Sequence, residues 1–196
     1  MDSKLLSPKY KQALDLVAIL FMEKLRADGK TPHVVHLVGV SRIVSQVTDD
    51  EDVQIAALLH DVIEDINPAI YNEQQMRTDF GGKITDIVIA VSHNQPKYGK
   101  VKAASLYLEQ IGTGSQEACL VSAADMLHNC LDLIEMHHSM PGLMKARFGG
   151  EKARGRQWFW SERLAILAEK LGNDHPIIKE LGPSWQRLSE IHAKIA

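Results

Sequence analysis

Cysteine is scarce in this chain, and so are long apolar runs. The 196 residues include two cysteines, Cys119 and Cys130, each within an apolar helical stretch. Two thiols are too few for a disulfide framework, and neither has a partner at the CxxC spacing of a zinc site. We therefore expect both cysteines to be core residues.

The longest apolar stretches, such as residues 87–91, are far too short to span a bilayer. The first residues, MDSKLLSPKYKQ, also lack the apolar run of a signal peptide. The formal net charge is -3, with acidic and basic residues mixed along the chain, so the basic footprint of a nucleic-acid binder is missing. These absences predict a cytoplasmic protein with no membrane and no nucleic-acid partner.

Alternation of apolar and polar residues is almost absent, whereas apolar residues recur at steps of three and four. This pattern predicts an all-α fold. The predicted helices cover residues 10–25, 34–47, 53–66, 72–79, 83–92, 100–111, 116–137, 157–171 and 176–193. We expect an irregular connector at 141–150 and an interruption of the last helix at Gly182 and Pro183. The predicted organisation is a core at 1–140 and a helical C-terminal extension at 141–196 that packs on it.

The helix predicted at 53–66 carries the most informative residues. Its first part is apolar on almost every side, which is typical of a helix in the protein interior. It then presents His60, Asp61, Glu64 and Asp65, and residues four apart share a face. Buried acidic side chains need a positive partner, and this helix has no Lys or Arg. A metal cation is therefore the expected partner.

Two other helices offer further metal ligands. His36 lies on an apolar helical face, and Asp125 is a lone acid among alanines and leucines, with Asn129 one turn later. Taken singly, an apolar-flanked histidine is more often a satisfied core residue, and an aspartate often bonds a neighbouring helix end. The adjacent His128 is equally compatible with a purely structural role and with a role in supporting the metal ligands. The coincidence of three such helices favours a metal site.

The order of His36, then His60–Asp61, then Asp125 resembles the H…HD…D signature of HD-domain metal phosphohydrolases. The flanking sequences AALLHDVIED and ADMLHN narrow the resemblance to the hydrolase domain of RelA/SpoT-type alarmone enzymes and their small single-domain relatives. The resemblance covers about residues 10–140 and implies an HD-domain helical bundle. It also implies removal of the 3′-pyrophosphate from guanosine tetra- or pentaphosphate, usually with manganese.

The resemblance also implies residue roles. The implied metal ligands are His36, His60, Asp61 and Asp125. The implied catalytic acids, which position or activate the attacking water, are Glu64 and Asp65. The implied substrate contacts are Arg26, Lys24 and Asn129.

The chain also departs from the family pattern. His33 stands where a tyrosine is usual, Leu37 replaces a proline, Ser122 replaces a lysine and Met126 replaces an arginine. These positions concern substrate contacts more than metal ligands, so they weaken the prediction of guanosine specificity. Two alternatives therefore stay open: an HD-type nucleotidase or other small-phosphoester hydrolase, and a non-catalytic nucleotide-sensing module. A homo-oligomer is a further possibility, for example through the C-terminal extension.

Overall fold

The computed structural model describes residues 7–93 and 100–196. The chain folds into helices α1 Pro8–Leu20, α2 His33–Val44, α3 Glu51–Leu59, α4 Val62–Asp65, α5 Glu73–Phe80, α6 Gly82–Val91, α7 Lys100–Thr113, α8 Gln116–Ser139, α9 Pro141–Phe148, α10 Glu151–Leu171 and α11 Pro176–Ile195. Within the described ranges, extended pairing is limited to a single bridge between Leu25 and Pro32. The prediction of an all-α fold is confirmed.

Helices α3 and α8 form the centre of the bundle. In α3 every residue from Val53 to Leu59 except Gln54 is buried, as expected for a helix that is apolar on almost all sides. Helix α8 packs against α2, α6, α10 and α11. Cys119 and Cys130 are both buried as free thiols in α8, as their apolar surroundings predict. Helix α3 therefore places its C-terminal residues, and α8 its central residues, in the interior of the bundle.

The helix predicted at 53–66 is in fact two helices. Helix α3 ends at Leu59, His60 and Asp61 form a turn, and α4 begins at Val62. Adjacent residues on one continuous helix point about 100° apart. His60 and Asp61 both keep right-handed helical backbone angles in this turn, and His60 Nε2 lies 3.2 Å from Asp61 Oδ1. The prediction of one continuous helix is therefore wrong, but His60 and Glu64 still line the same cavity, as their four-residue spacing predicts.

The C-terminal region differs from prediction in three places, the first being that α10 begins at Glu151 and not at residue 157. The predicted irregular connector at 141–150 contains helix α9, which begins with Pro141 at its first position, where a missing N–H is harmless. Helix α11 runs through Pro183 without the expected interruption. Pro183 is exposed, so water can reach the carbonyl group that its missing N–H leaves free.

The C-terminal helices bury large side chains against the rest of the bundle. Trp160 of α10 and Trp185 of α11 lie with their ring centroids 5.5 Å apart, and both are buried. Leu167 and Leu181 are fully buried in the same hydrophobic core as α3 and α8. No helix in the described part of the chain is long and apolar enough to cross a bilayer.

Candidate metal centre and active site

Three elements bring the predicted metal ligands together. His36 comes from the first turn of α2, His60 and Asp61 from the turn between α3 and α4, and Asp125 from the middle of α8. Donor atoms of His36, His60 and Asp125 all lie within 4.8 Å of one another. The predicted set therefore converges, although its members lie up to 89 residues apart in sequence (125 − 36).

The donor atoms face a common point. His36 Nε2 lies 3.3 Å from both His60 Nε2 and Asp125 Oδ1. Asp61 Oδ1 lies 3.2 Å from His60 Nε2, and Asp61 Oδ2 lies 3.9 Å from His36 Nε2. Two imidazole nitrogens and two carboxylates form a mixed N/O donor set that suits a divalent transition-metal ion. HD-domain hydrolases use divalent metals, and these residues fit one.

Charge in the cluster favours a cation. Burial lowers the pKa of His36 to about 4, which keeps this imidazole neutral as a ligand must be. Burial alone would also lower the pKa of His60, but the carboxylates of Asp61 and Asp125 raise it to about 9. Burial opposes ionisation of Asp125, yet bonds from both histidines hold its pKa well below the usual range. The carboxylates of Asp61 and Asp125 therefore stabilise positive charge at the point that the four side chains share.

Each imidazole is oriented from behind. His60 Nδ1 lies 2.8 Å from the carbonyl oxygen of Ala57, to which it donates, leaving Nε2 toward the centre. His36 Nδ1 lies 3.1 Å from His128 Nδ1, and His128 Nδ1 lies 3.5 Å from Asp132 Oδ2. Groups of this kind fix the tautomer and ring plane of a metal-binding histidine. His128, left open by the sequence, occupies this supporting position.

His33 takes part in the site from the position where the family pattern has tyrosine. Its Nε2 donates to Asp61 Oδ2 at 2.8 Å, and its ring stacks on Phe21 with centroids 5.0 Å apart. The bond holds one oxygen of Asp61 and leaves the other toward His60. The histidine that replaces the usual tyrosine therefore donates a hydrogen bond to the predicted metal ligand Asp61.

Glu64 lines the cleft beside the cluster and is held by the chain that follows α6. Its Oε2 accepts a hydrogen bond from the backbone N–H of His93 at 2.9 Å. Desolvation and the neighbouring carboxylates raise the pKa of Glu64 to about 7. The His93 ring in turn stacks on Tyr107, with centroids 3.7 Å apart. Glu64 is thus positioned to exchange a proton near neutral pH.

Asp65 does not line the cavity that Glu64 shares with the metal-ligand candidates. It pairs with Lys24, and its Oδ2 lies 3.9 Å from His33 Nε2. Asp65 and Lys24 pair beside the same His33 nitrogen that bonds Asp61. The predicted catalytic residue Asp65 and the predicted phosphate contact Lys24 therefore pair with each other and line a different cavity from the four metal-ligand candidates.

Arg26 lies on the other side of the cluster. Its Nη2 donates to Asn129 Oδ1 at 2.6 Å and to Asp132 Oδ2 at 2.7 Å. The bridge formed by Leu25 and Pro32 holds the backbone of this segment, with Arg26 N–H donating to Thr31 at 2.8 Å. Asn129 Nδ2 also donates to Asp125 Oδ1 at 2.5 Å. The predicted substrate residues Arg26 and Asn129 are therefore in direct contact.

The ion pair between Arg163 and Asp125 was not predicted. Arg163, on α10, donates from Nη2 to Asp125 Oδ2 at 2.9 Å. It also contacts Ser122, the residue that stands where the family pattern has lysine. The sequence carried one usable signal, because Arg163 lies on the helical stripe of Trp160 and Leu167, where an arginine is unexpected. All three side chains are buried.

Two cavities meet at the site. The smaller, about 200 Å³, is lined by the metal-ligand candidates together with Glu64 and Arg163. The larger, about 510 Å³, lies between the segment after α1 and helices α8–α10 and is lined in part by Lys30, Phe148 and Arg156. Arg26, Asn129 and Trp160 line both cavities. The two cavities therefore adjoin at these three residues.

The sequence profile of the HD domain family matches residues 13–129. The chain belongs to the HD domain family. The profile covers every predicted metal ligand and ends at Asn129. The family predicted from the HD signature is therefore confirmed. Arg163 lies beyond the matched region.

Several relatives in this family are alarmone hydrolases by name. Guanosine-3′,5′-bis(diphosphate) 3′-pyrophosphohydrolase MESH1 of Xenopus tropicalis is 37% identical over 126 residues, which cover 62% of this chain and 68% of the relative. A guanosine-3′,5′-bis(diphosphate) 3′-pyrophosphohydrolase of Haemophilus influenzae is 31% identical over 155 residues, 78% of this chain. That match spans about a fifth (21%) of the Haemophilus protein.

A solved structure extends the similarity to the C-terminal helices. It is described as a metazoan orthologue of SpoT that hydrolyses ppGpp and plays a role in starvation responses. Its TM-score is 0.78 at 25% identity, covering 93% of this chain and 96% of that chain. The predicted resemblance to alarmone hydrolases is therefore confirmed, and the HD-type hydrolase prediction agrees with the family and its relatives.

Proposed function

We propose that this protein is a metal-dependent phosphohydrolase that removes the 3′-pyrophosphate from guanosine tetra- or pentaphosphate. The observation that carries the proposal is the convergence of His36, His60 and Asp125 from three helices, with Asp61 beside them. The named activity of the relatives supports the substrate class. We propose these four residues as the ligands and Mn²⁺ as the metal.

A divalent ion in this set supplies two things when bound: a more acidic water and stabilisation of charge on a phosphoryl group. Glu64 is the proposed proton acceptor for the attacking water, because its pKa of about 7 lets it exchange protons near neutral pH. Asn129 and Arg26 provide donor groups at the boundary of the two cavities. We propose that the scissile phosphate lies in the smaller cavity and the nucleoside in the larger.

Asp65 and Lys24 receive supporting roles in this proposal. Their ion pair lies beside His33, which bonds the proposed ligand Asp61. A substrate phosphate that reached Lys24 would compete with Asp65 for the ammonium group. We therefore expect changes at either residue to alter the substrate KM more than the affinity for metal.

A second candidate is a hydrolase of a less charged phosphoester. Among the described residues that line the smaller cavity, the cationic side chains are Arg26 and Arg163, and each is bonded to a carboxylate. A pyrophosphate group carries more negative charge than a monoester and needs more positive partners. This pairing favours a nucleoside monophosphate or similar substrate as the alternative.

The first experiment measures phosphate and pyrophosphate release from guanosine tetraphosphate and from deoxynucleoside monophosphates, with Mn²⁺ and with chelator. Metal-dependent pyrophosphate release from guanosine tetraphosphate is the expected result. Release of phosphate from a monophosphate alone would support the second candidate. Bound Mn²⁺ without any turnover would instead identify a nucleotide-sensing module.

Substitutions test the assigned roles. Asp61→Ala should abolish Mn²⁺ binding and turnover in a folded protein, whereas Asp174→Ala, at a fully exposed aspartate, should change neither. Glu64→Gln should keep Mn²⁺ and substrate affinity and lower kcat about 10²- to 10⁴-fold. Glu169→Gln, on the exposed side of α10, is its matched control. Full activity in Asp61→Ala would refute the metal assignment.

A further inference from the structure

Arg163 is a buried cation at the edge of the metal centre, and it comes from the C-terminal helices. Its side chain is 4% exposed. Its Nη2 donates to Ser122 O at 2.6 Å and to Asp125 Oδ2 at 2.9 Å, and its Nε donates to Ser122 Oγ at 3.0 Å. A buried guanidinium is costly unless it is paired and hydrogen-bonded, and this one satisfies both conditions.

The ion pair divides the two oxygens of Asp125. Oδ2 is held by Arg163, while Oδ1 faces His36 Nε2 at 3.3 Å and His60 Nε2 at 3.7 Å. Asn129 bonds Oδ1 at 2.5 Å from the next turn of α8. Fixing Oδ2 prevents the carboxylate from rotating, so Oδ1 stays directed at the imidazole nitrogens. Outer partners that orient a carboxylate in this way contribute to metal affinity.

The surroundings of Arg163 fit an arginine closely. Ser122 lies one turn before Asp125 on the same face of α8, and its short buried side chain leaves room for the guanidinium. The guanidinium carbon lies 5.3 Å from the ring centroid of Tyr107, and the Tyr107 hydroxyl lies 3.2 Å from Ser122 Oγ. A planar fork can bond Ser122 and Asp125 together while it packs on an aromatic ring.

We propose that Arg163 is the positioning residue of the metal centre: it holds Asp125 in its ligating orientation. Position 122 is small in this chain because the cation beside Asp125 is supplied from α10 instead of α8. This inference rests on the proposed metal-dependent hydrolysis. It makes a segment outside the HD family match, residues 141–196, part of the active site.

The first test measures Mn²⁺ affinity by isothermal titration calorimetry on chelator-stripped protein. Arg163→Met should weaken Mn²⁺ binding about 10- to 100-fold. The Mn²⁺ concentration that gives half-maximal turnover should rise by the same factor. Arg187→Met, at an exposed arginine of α11, is the matched control and should bind Mn²⁺ as the parent protein does. Unchanged Mn²⁺ affinity in Arg163→Met overturns the inference.

The second test moves the cation. In the double variant Ser122→Lys with Arg163→Met, a lysine one turn from Asp125 should put its ammonium group where the guanidinium was. We expect this variant to fold and to recover most of the lost Mn²⁺ affinity, whether or not Arg163→Met alone folds. A double variant that stays unfolded, or that binds Mn²⁺ no better than Arg163→Met, overturns the inference.

The two tests separate this inference from the proposed function. If the parent protein binds no Mn²⁺, the proposed metal-dependent function fails first. If the parent and Arg163→Met bind Mn²⁺ equally well, the proposed function stands and only the role of Arg163 is refuted.

Discussion

At the scale of single residues, Gly39 of α2 lies directly against the imidazole of His128. A Cβ atom at this position would be 2.2 Å from His128 Nε2, far inside contact distance. The absence of a side chain therefore allows His128 to reach His36 and hold its Nδ1. A glycine in mid-helix costs stability, so its presence here has a packing reason.

Gly39→Ala should displace the His128 ring and release His36 from its partner. We expect a folded protein with Mn²⁺ affinity reduced about tenfold, the size usual for loss of an outer partner of a ligand. Calorimetric titration measures the affinity. Gly155→Ala, at a helical glycine with open space around it, is the control and should leave affinity unchanged. Parent-like Mn²⁺ binding by Gly39→Ala would show that His128 does not orient His36.

Residues differ in how far their sequence context predicts them. His60, Asp61 and Asp125 are recognisable because polar side chains interrupt apolar helices there. Arg163 and Asp132 give weaker signals, since their meaning depends on partners 38 and 106 residues away. A local pattern carries no information about which side chain from a distant helix reaches a buried carboxylate.

At the scale of elements, the interface of α10 and α11 contains a histidine without a polar partner. His192 of α11 is fully buried, and neither of its ring nitrogens has a hydrogen-bond partner in the described part of the chain. Burial, and then the nearby Arg156, lower its pKa to about 4. The folded protein therefore holds His192 neutral through mildly acidic conditions.

This burial predicts acid sensitivity. Unfolded His192 takes up a proton below about pH 6.5, whereas folded His192 does so only near pH 4, so the unfolded state binds more protons between these values. The contribution of His192 to stability is fully present above pH 6.5 and declines as pH falls toward 4. His192→Leu should therefore flatten the decline by up to about 3 kcal/mol at pH 4.

Urea unfolding at pH 7, 5.5 and 4 measures the effect. At pH 7 the His192→Leu variant should be within about 1 kcal/mol of the parent protein, because removing an unpaired buried polar group is nearly neutral. His138→Gln, at an exposed histidine of α8, is the control. An equally steep acid decline in His192→Leu and the parent would exclude His192 as the source.

Helix boundaries show where element prediction succeeds. Most helices begin or end within a few residues of the predicted positions because caps and glycines mark them, as Ser115 does for α8. The break at His60–Asp61 and the continuity through Pro183 were missed. The break lies where the chain is buried among the metal-ligand candidates, and Pro183 is tolerated because it faces solvent. Both features depend on tertiary surroundings.

At the scale of the whole molecule, the C-terminal helices complete both the core and the site. Helices α10 and α11 bury Trp160, Leu167, Trp185 and Leu188 in the common core, and α11 packs extensively along α8. Without them the apolar face of α8 would be exposed and Asp125 would lose the guanidinium of Arg163. An unpaired buried carboxylate is strongly destabilising.

A chain ending at residue 140 should therefore lack a cooperative unfolding transition and should not bind Mn²⁺. Circular dichroism during heating and calorimetric titration measure these two properties. Adding residues 141–196 as a separate chain should restore part of both, since the missing contacts are non-covalent. A truncated chain that melts cooperatively and binds Mn²⁺ would make residues 1–140 an autonomous core.

The sequence by itself determined the helical class, the HD signature and the identity of the four proposed metal ligands. Helical periodicity and the positions of polar residues on apolar faces are local properties, and so they can be read along the chain. The tertiary structure alone decided which groups stand behind those ligands. Arg163, His128 and Gly39 acquire their roles because packing brings separate helices within hydrogen-bond distance, and such contacts leave no local pattern.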